Sequence, residues 1–390
     1  VAEPGLRLTR LTLSQFRNYR ALTWRPAGRL AVLSGPNGSG KTNLLEAVSL
    51  LVPGRGLRGA RLAELARRGE DATGTWAVAG RFDTPSGPAD IGTGTPPEGP
   101  AERRAFRLDG VAPRSQAELA GRISAVWLTP QMDRLFQDGA AGRRRFLDRL
   151  VYALEPAHAR EVAAHDAAMA QRNRLLAEGR HDAAWLAGLE DAMARHAVAA
   201  TAARVALVNR LNAALEGGAA DPFPIARLAL LCPVADRLAE GPALAAEDWL
   251  RDALAAGRDH DAAAGSAGFG AHRADMALVD AASGVEAATA STGQQKALLV
   301  GVVLGHAALL AEARGFAPLL LLDEPAVHLD ADRRAALFAA LLRLPAQALL
   351  TGTDAQTFLP LRGAAEGLCV AAGALSVDPA FPPPAMLPRA

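Results

Sequence analysis

Two runs in this chain of 390 residues combine glycine, a hydroxyl residue and lysine at spacings that suit a phosphate. The first is Gly35-Pro36-Asn37-Gly38-Ser39-Gly40-Lys41-Thr42, followed by Asn43; the second is Ser291-Thr292-Gly293-Gln294-Gln295-Lys296. Only two of the 42 lysine and arginine residues are lysines, and each closes one of these runs. Arginine is a broad planar fork, lysine a compact charge on a flexible stem, and a loop wound tightly by its own backbone has room only for the second. Gly35, Gly38 and Gly40 let the backbone curl so that successive N–H groups point at a β-phosphate. The helix expected after the loop adds its positive end. Lys41 is then placed to reach the β- and γ-phosphates, and Thr42 to hold Mg²⁺ through its hydroxyl. Gly35 to Asn43 therefore read as a nucleoside triphosphate site.

Far downstream, PLLLLDEPAVHLD (Pro318 to Asp330) is an apolar run ending in two adjacent acids. Asp323, at the strand's end, would hold Mg²⁺, while Glu324 points differently and would serve as general base for the attacking water. The second lysine run precedes a long apolar helical stretch, Ala297 to Ala313. A helix N-terminus with a small hydroxyl residue and a glycine again suits an anion, although an ordinary capped helix has the same composition. One nucleotide rarely needs two γ-phosphate sites from one chain. The economical arrangement is a head-to-tail dimer in which Ser291 to Lys296 meets the triphosphate held by the partner's loop.

These residues need elements to position them. Leu30 to Gly35 is a short apolar run that reads as a buried strand, and Leu44, Leu45, Val48 and Leu51 recur at helical spacing just after the loop. Residues 1 to about 130 read as strands, broken by a Gly/Pro-rich hairpin connection from Pro85 to Pro100. From about 140 to 260 the chain turns to alanine-rich helices. Trp185, Leu189, Met193, His196, Ala200, Leu207, Leu211 and Leu215 approximate one face. Pro156 and the stretch Gly217 to Pro224 interrupt the helices, so three or four packed helices are expected rather than a long coiled coil.

Composition sets wider bounds. Half of the residues are apolar, enough for a core in one to three domains. No apolar run approaches the roughly 20 residues that span a bilayer, and the start carries no hydrophobic signal region. Cys232 and Cys369 lie too far apart in the chain to suggest a disulfide framework or zinc cluster. A soluble, cytoplasmic protein without a membrane partner is expected. Net charge is only +1, yet arginines gather locally: Arg55, Arg58, Arg61, Arg67 and Arg68 around a single acid, Glu64; Arg103, Arg104 and Arg107; and Arg143 to Arg145. Such patches could neutralise nucleic-acid phosphates or be solvated helix faces; charge permits a DNA partner without establishing one.

The order of loop, distant signature and LLLLDEP is that of ATP-binding-cassette ATPases. STGQQK departs from the LSGGQ of membrane transporters and resembles the DNA-repair branch. LTRLTLSQFRNYRAL (Leu8 to Leu22) resembles the opening strand pair of the RecF family, with its FRNY run at Phe16 to Tyr19. LVPGRGLRGARLAEL (Leu51 to Leu65) resembles that family's GRSFR segment, with Gly56-Leu57 in place of Ser-Phe. AVWLTPQMDRLFQDGAAGRRRFLDRL (Ala125 to Leu150) is similar to its middle signature, and GAHRAD (Gly270 to Asp275) to its HRAD turn. These matches are collinear over most of the chain.

The resemblance implies an α/β fold: an ATP-binding-cassette ATPase head of mixed sheets and flanking helices, with an inserted, mainly α-helical arm. The head would comprise residues 1–135 and 268–390, and the arm 136–267. It implies ATP and Mg²⁺ as cofactors, weak DNA-stimulated ATPase activity, and ATP-dependent homodimerisation that clamps gapped or single-strand/double-strand junction DNA. It implies work with RecR and RecO toward RecA loading, in recombination, replication and the SOS response to DNA damage. Carried over by position, Gln131 stands in the loop that senses Mg²⁺ and γ-phosphate, where the family often has an acid, and Asp330 where the dimer is sealed. Thr351, Gly352 and Thr353 stand where transporters carry a histidine, which opposes the other class considered, a transporter's ATPase subunit. Arg55, Arg58 and Arg61 are the candidate DNA contacts. Asn18, Tyr19, Arg58 and Arg273 could touch nucleotide or DNA, or simply hold the structure.

Overall fold

The computed structural model describes residues 5–69, 73–96, 104–179 and 182–381. The chain divides into two compact units, Val1–Asp133 with Ala219–Phe223 and Leu299–Ala390, and Arg134–Gly218 with Pro224–Leu298.

The first unit opens with strands β1 (Arg7–Phe16), β2 (Tyr19–Trp24) and β3 (Leu30–Ser34), helices α1 (Lys41–Leu51) and α2 (Leu62–Leu65), and strands β4 (Ala77–Thr84), β5 (Gly87–Gly94) and β6 (Ala105–Leu108). Helix α3 (Gln116–Arg122) and strand β7 (Ala125–Leu128) follow. In the second unit come helices α4 (Ala140–Leu154), α5 (His158–Ala177) and α6 (Ala183–Glu216), strand β8 (Ala226–Leu231), helices α7 (Pro233–Glu240), α8 (Ala243–Ala256) and α9 (Arg258–Ala264), and strand β9 (Asp275–Asp280). Helix α10 (Thr292–Arg314) leads back to the first unit's β10 (Leu319–Leu322), α11 (Ala331–Arg343), β11 (Ala348–Gly352), β12 (Ala365–Ala371) and β13 (Ala374–Val377).

Two sheets build the first unit. One is antiparallel, in the order β2-β1-β4-β5-β6, and β4 alternates exposed and buried residues along its whole length, the pattern of a sheet with one covered face. The other runs β13-β12-β3-β11-β10-β7 and is parallel except for β13. Its inner strands LAVLS, LLLL and ALLTG are buried at every residue, as expected of parallel strands covered on both faces. Because β3, β11, β10 and β7 run the same way, the loops at their carboxyl ends gather at one edge, where ligands of open α/β sheets bind.

The connection expected from Pro85 to Pro100 is largely strand. Thr84 pairs with Gly87, so only Pro85 and Ser86 turn the chain, and Ala89, Ile91 and Thr93 of β5 face the core. Residues 97–100 of that stretch lie outside the described residues.

The second unit is mainly helical, with a two-stranded antiparallel sheet, β8 with β9, added to it. Its inward face on α6 begins at Leu186 and Glu190, with Trp185 left 47 % exposed; Met193, Ala200, Leu207, Leu211 and Leu215 are buried as the spacing predicts. Pro156 separates α4 from α5, and α6 ends just before Gly217. The arm boundary expected at 267/268 lies instead at 298/299. The reason is β9, which pairs with β8 in full register from Ala226↔Asp280 to Leu231↔Asp275.

Paired charges hold this unit together. Arg172, fully buried, donates to Glu190 at 3.0 Å and Asp261 at 2.8 Å. Arg204 grips Asp148 through two bonds of 2.7 and 3.0 Å, and His158 meets the same carboxylate at 2.8 Å. The arginine run Arg143 to Arg145 is mostly spent the same way: Arg143 forks onto Asp275 at 2.7 and 2.8 Å, and Arg144 donates to the Ala274 carbonyl. Arg273 donates to the carbonyl of Ala267, so the GAHRAD turn is a structural hub. The expectation that no apolar run could span a bilayer needs correction, since α10 is long and apolar enough by length and composition. Of its most apolar window, 78 % is buried, as in a core helix.

Candidate nucleotide-binding site

The loop after β3 has the shape its sequence demands. Gly35, Gly38 and Gly40 have φ of 146°, 79° and 114°, values that an L side chain rarely adopts. Two of the three are also sterically closed. A Cβ on Gly35 would lie 2.5 Å from the Val370 carbonyl oxygen, and one on Gly40 2.4 Å from Asn18 Nδ2. Helix α1 starts at Lys41, directly after Gly40. The Lys41 ammonium donates to the carbonyls of Gly35 and Pro36 at 2.7 and 2.8 Å, so it already arches over the loop. Burial pushes its pKa below the ordinary lysine range, against the upward pull of Glu324 and Asp323.

At the end of β10, Asp323 is buried and accepts two hydroxyl hydrogen bonds on one oxygen. Thr42 donates at 2.8 Å and Thr351, at the end of β11, at 2.7 Å. Thr351 also accepts from the Glu324 backbone N–H at 2.9 Å. This one hydroxyl therefore ties both acids to the neighbouring strand. Glu324 has φ 50°, a strained value for a non-glycine residue. It lines a cavity of about 220 Å³ with His328, Arg334, Thr353, Asp354 and Thr357. The donor set fits a magnesium nucleotide: a hydroxyl, a carboxylate and an ammonium around a glycine cradle.

The FRNY run braces this cradle from outside. Asn18 donates to the Ser39 carbonyl at 2.9 Å and accepts from Asn43 at 2.8 Å; the Tyr19 hydroxyl donates to the Gly40 carbonyl at 3.1 Å. Burial raises the Tyr19 pKa, so the phenol stays a donor. Arg17 forks onto the buried Glu46 of α1 at 2.8 Å twice. Arg58 donates to Asn43 at 2.8 Å and lies 3.5 Å from Glu46, so this DNA candidate is also part of the loop's support. Arg55 and Arg61 are exposed on either side of it.

The remaining candidates divide. Gln131 is exposed in the turn after β7, and β7 is the neighbour of β10, whose Asp323 donates its backbone N–H to Leu128. Asp330 caps α11, accepting from the Arg333 N–H at 2.8 Å, and stays 55 % exposed. In the second unit, Ser291 and Gln294 form a reciprocal capping box at the start of α10: Gln294 accepts from the Ser291 N–H at 3.0 Å, and the Ser291 hydroxyl accepts from the Gln294 N–H at 3.4 Å. Ser291, Thr292 and Gln294 are exposed and Gly293 half-buried, whereas Gln295 is buried. Lys296 is only 1 % exposed. It lies one turn into α10, in a stretch buried at every residue from Gln295 to Ala307, so in the single chain it is covered rather than offered to a partner.

Thr351 is the site residue that sequence reasoning underused: it was noted for what it replaces, not for what it holds. The apolar run ALLTG beside LLLLDE was the available signal, since adjacent buried strands put their end residues side by side.

The model for the RecF/RecN/SMC N-terminal domain matches residues 7–361. The chain is 48 % identical to the DNA replication and repair protein RecF of Mesorhizobium japonicum, over 93 % of this chain and 96 % of that one. It is 46 % identical to that of Allorhizobium ampelinum, over 95 % and 98 %. Among solved structures, the recombination mediator protein RecF-ATPrS in the RecFOR pathway superposes with a TM-score of 0.82 at 20 % identity, covering 96 % of this chain and 99 % of that one.

Proposed function

Because the chain belongs to the RecF family of DNA replication and repair proteins, we propose that it is an ATP-gated DNA-binding protein of recombinational repair whose slow hydrolysis releases the DNA. The observation that carries this reading is the hydroxyl network of Thr42 and Thr351 on Asp323, with Glu324 set apart by its left-handed backbone. Lys41 exchanges its two loop carbonyls for phosphate oxygens of ATP. Thr42 and Asp323, with Gln131 beyond β7, would hold Mg²⁺, which supplies charge neutralisation at the β- and γ-phosphates. Glu324 accepts the proton of the attacking water. Asn18 and Tyr19 hold the carbonyls of Ser39 and Gly40 outward, which leaves the N–H groups at the start of α1 to face the phosphates.

Exposed Ser291, Thr292 and Gln294, with Gly293, form the half-site offered to a second copy, and Asp330 flanks the joint. A γ-phosphate touching both copies favours the closed dimer by its differential contacts, as any ligand-driven switch requires. DNA with a gap or a single-strand/double-strand junction lies across the closed pair. Arg55, Arg58 and Arg61 contact its phosphates and so give little sequence preference. RecR and RecO are the expected partners, toward loading of RecA. The test is binding of junction DNA by the Glu324→Gln protein with Mg-ATP, Lys41→Ala serving as control. Tight binding that needs ATP and Lys41, at a mass of two copies per complex, supports the reading. Dimerisation without DNA affinity overturns it.

A further inference from the structure

The antiparallel sheet of the first unit buries one face and leaves the other open, and strand register fixes what the open face carries. One row crosses it as Thr12, Ala79, Gly92 and Arg107 on β1, β4, β5 and β6. The next row is Arg10, Arg81 and Asp90. Between the arginines the floor is Ala79, Gly80, Ile91 and Gly92, with the Ile91 side chain buried on the core side, and together they line a shallow cavity of about 220 Å³.

Its charge is unbalanced. Arg10 and Arg81 are direct cross-strand partners, an arrangement of like charges that destabilises a sheet pair. Among the described residues, Asp90 is the one carboxylate in the lining, 3.7 Å from Arg10 and 3.8 Å from Arg81. Those separations exceed a charge-assisted hydrogen bond of about 2.8 Å. All three side chains are about half exposed, at 43 %, 48 % and 51 % for Arg10, Arg81 and Asp90. Three arginines against one loosely held acid leave the cavity short of negative charge.

We infer that this face docks the phosphate backbone of a nucleic acid. The inference rests on the DNA-binding reading above and adds a surface separate from Arg55, Arg58 and Arg61. Neighbouring strands lie about 4.8 Å apart and residues along one about 3.4 Å apart, so Arg81 on β4 and Arg107 on β6, two strands and one row away, stand roughly 12 Å apart. An array of that width suits a chain of anions more than a single ion. An acidic peptide is the poorer occupant, because peptide recognition draws on buried aromatic or aliphatic anchors, and this shallow floor of Ala79, Gly80 and Gly92 has no pocket for one. Forked guanidinium groups above a low floor suffice for phosphates. Among the described residues no aromatic side chain lines the cavity, so bases are not stacked and contact is indifferent to sequence.

The experiment replaces Arg10, Arg81 and Arg107 together with glutamine and titrates DNA with a single-strand/double-strand junction, in the presence of Mg-ATP, by fluorescence anisotropy across a salt series. Circular dichroism and ATP binding check the fold. Loss of three phosphate contacts should reduce the slope of log K against log salt by about 2.7. Asp90→Asn supplies a change of opposite sign: tighter binding, which a damaged fold would not give. Wild-type DNA binding with an unchanged slope in the triple variant overturns the docking site and leaves the DNA-binding reading standing. A wild-type protein without DNA affinity sinks both. Binding of a polyglutamate peptide that the triple variant loses, with DNA affinity intact, assigns the face to an acidic protein segment and overturns the inference.

Discussion

Thr351 couples the two acids to which the proposed function gives different work. Its hydroxyl donates to Asp323 and accepts from the Glu324 N–H; valine in its place keeps the shape and removes both bonds. We expect Thr351→Val to retain ATP binding through Lys41 and the loop but to lose hydrolysis at least tenfold, read as single-turnover phosphate release beside nucleotide titration. Glu324→Gln removes the proposed general base, and its hydrolysis should fall by about 10²- to 10⁴-fold with ATP affinity kept. Gly40→Ala should abolish nucleotide binding outright, since φ is 114° and Asn18 occupies the space a methyl needs; calorimetric titration with an ATP analogue checks it. At this scale the sequence was legible where chemistry is local. Gly35 to Thr42 and the pair Asp323-Glu324 carry their spacing within a few residues. The contacts of Asn18, Tyr19 and Thr351 were not legible, because each depends on a partner brought from a distant element.

Element by element, legibility followed the same line. Strands β3 and β10 announced themselves as short apolar runs, and Pro156 marked the α4–α5 break. Strand β5 did not, because Gly87 to Gly94 is poor in β-branched and aromatic residues and is held by its neighbours β4 and β6 on either side. The burial of Lys296 was not legible, because glycines and a capping serine describe a helix start without saying how deeply its second turn is covered. The RRRFLD helix α4 is likewise a structural element. Burial raises the Asp148 pKa, but hydrogen bonds from His158 and Arg204 outweigh that and hold the group below the ordinary carboxylate range. Its contribution is present above the unfolded carboxylate pKa and disappears as pH falls through the lower folded value. Asp148→Ala leaves Arg204, 2 % exposed, without this partner, and should destabilise the second unit by about 3–5 kcal/mol, measurable by urea denaturation at pH 7.

Across the molecule, Glu366 sets a second and opposite dependence on acidity. It is 7 % exposed at the start of β12, accepts from the Ala27 N–H at 3.0 Å, and burial pushes its pKa up to about 7, against the pull of that bond and of Arg7. A raised folded pKa means the neutral carboxyl is the form that fits. The stability it contributes is complete below the unfolded pKa of about 4.3 and is lost as pH climbs through 7. The loss amounts to roughly 3 kcal/mol in order of magnitude. Glu366→Gln should therefore flatten the fall in melting temperature between pH 5 and pH 8 and leave the protein more stable than wild type at the alkaline end. Thermal denaturation of both proteins across that range checks the sign.

Strand β3, which carries the phosphate loop, has β11 on one side and β12 on the other, and these neighbours come from residues Ala348–Gly352 and Ala365–Ala371. Synthesis runs from the N-terminus, so the nucleotide strand emerges long before anything it can hydrogen-bond to. Throughout translation of the second unit, the emerging chain carries an apolar strand with both edges bare, of the kind that invites wrong pairing. Competence for ATP then arrives late and all at once, when the last strands slot in on either side of it. A chain cut short anywhere before β11 is not a weaker ATPase but one whose phosphate loop has no sheet to stand on.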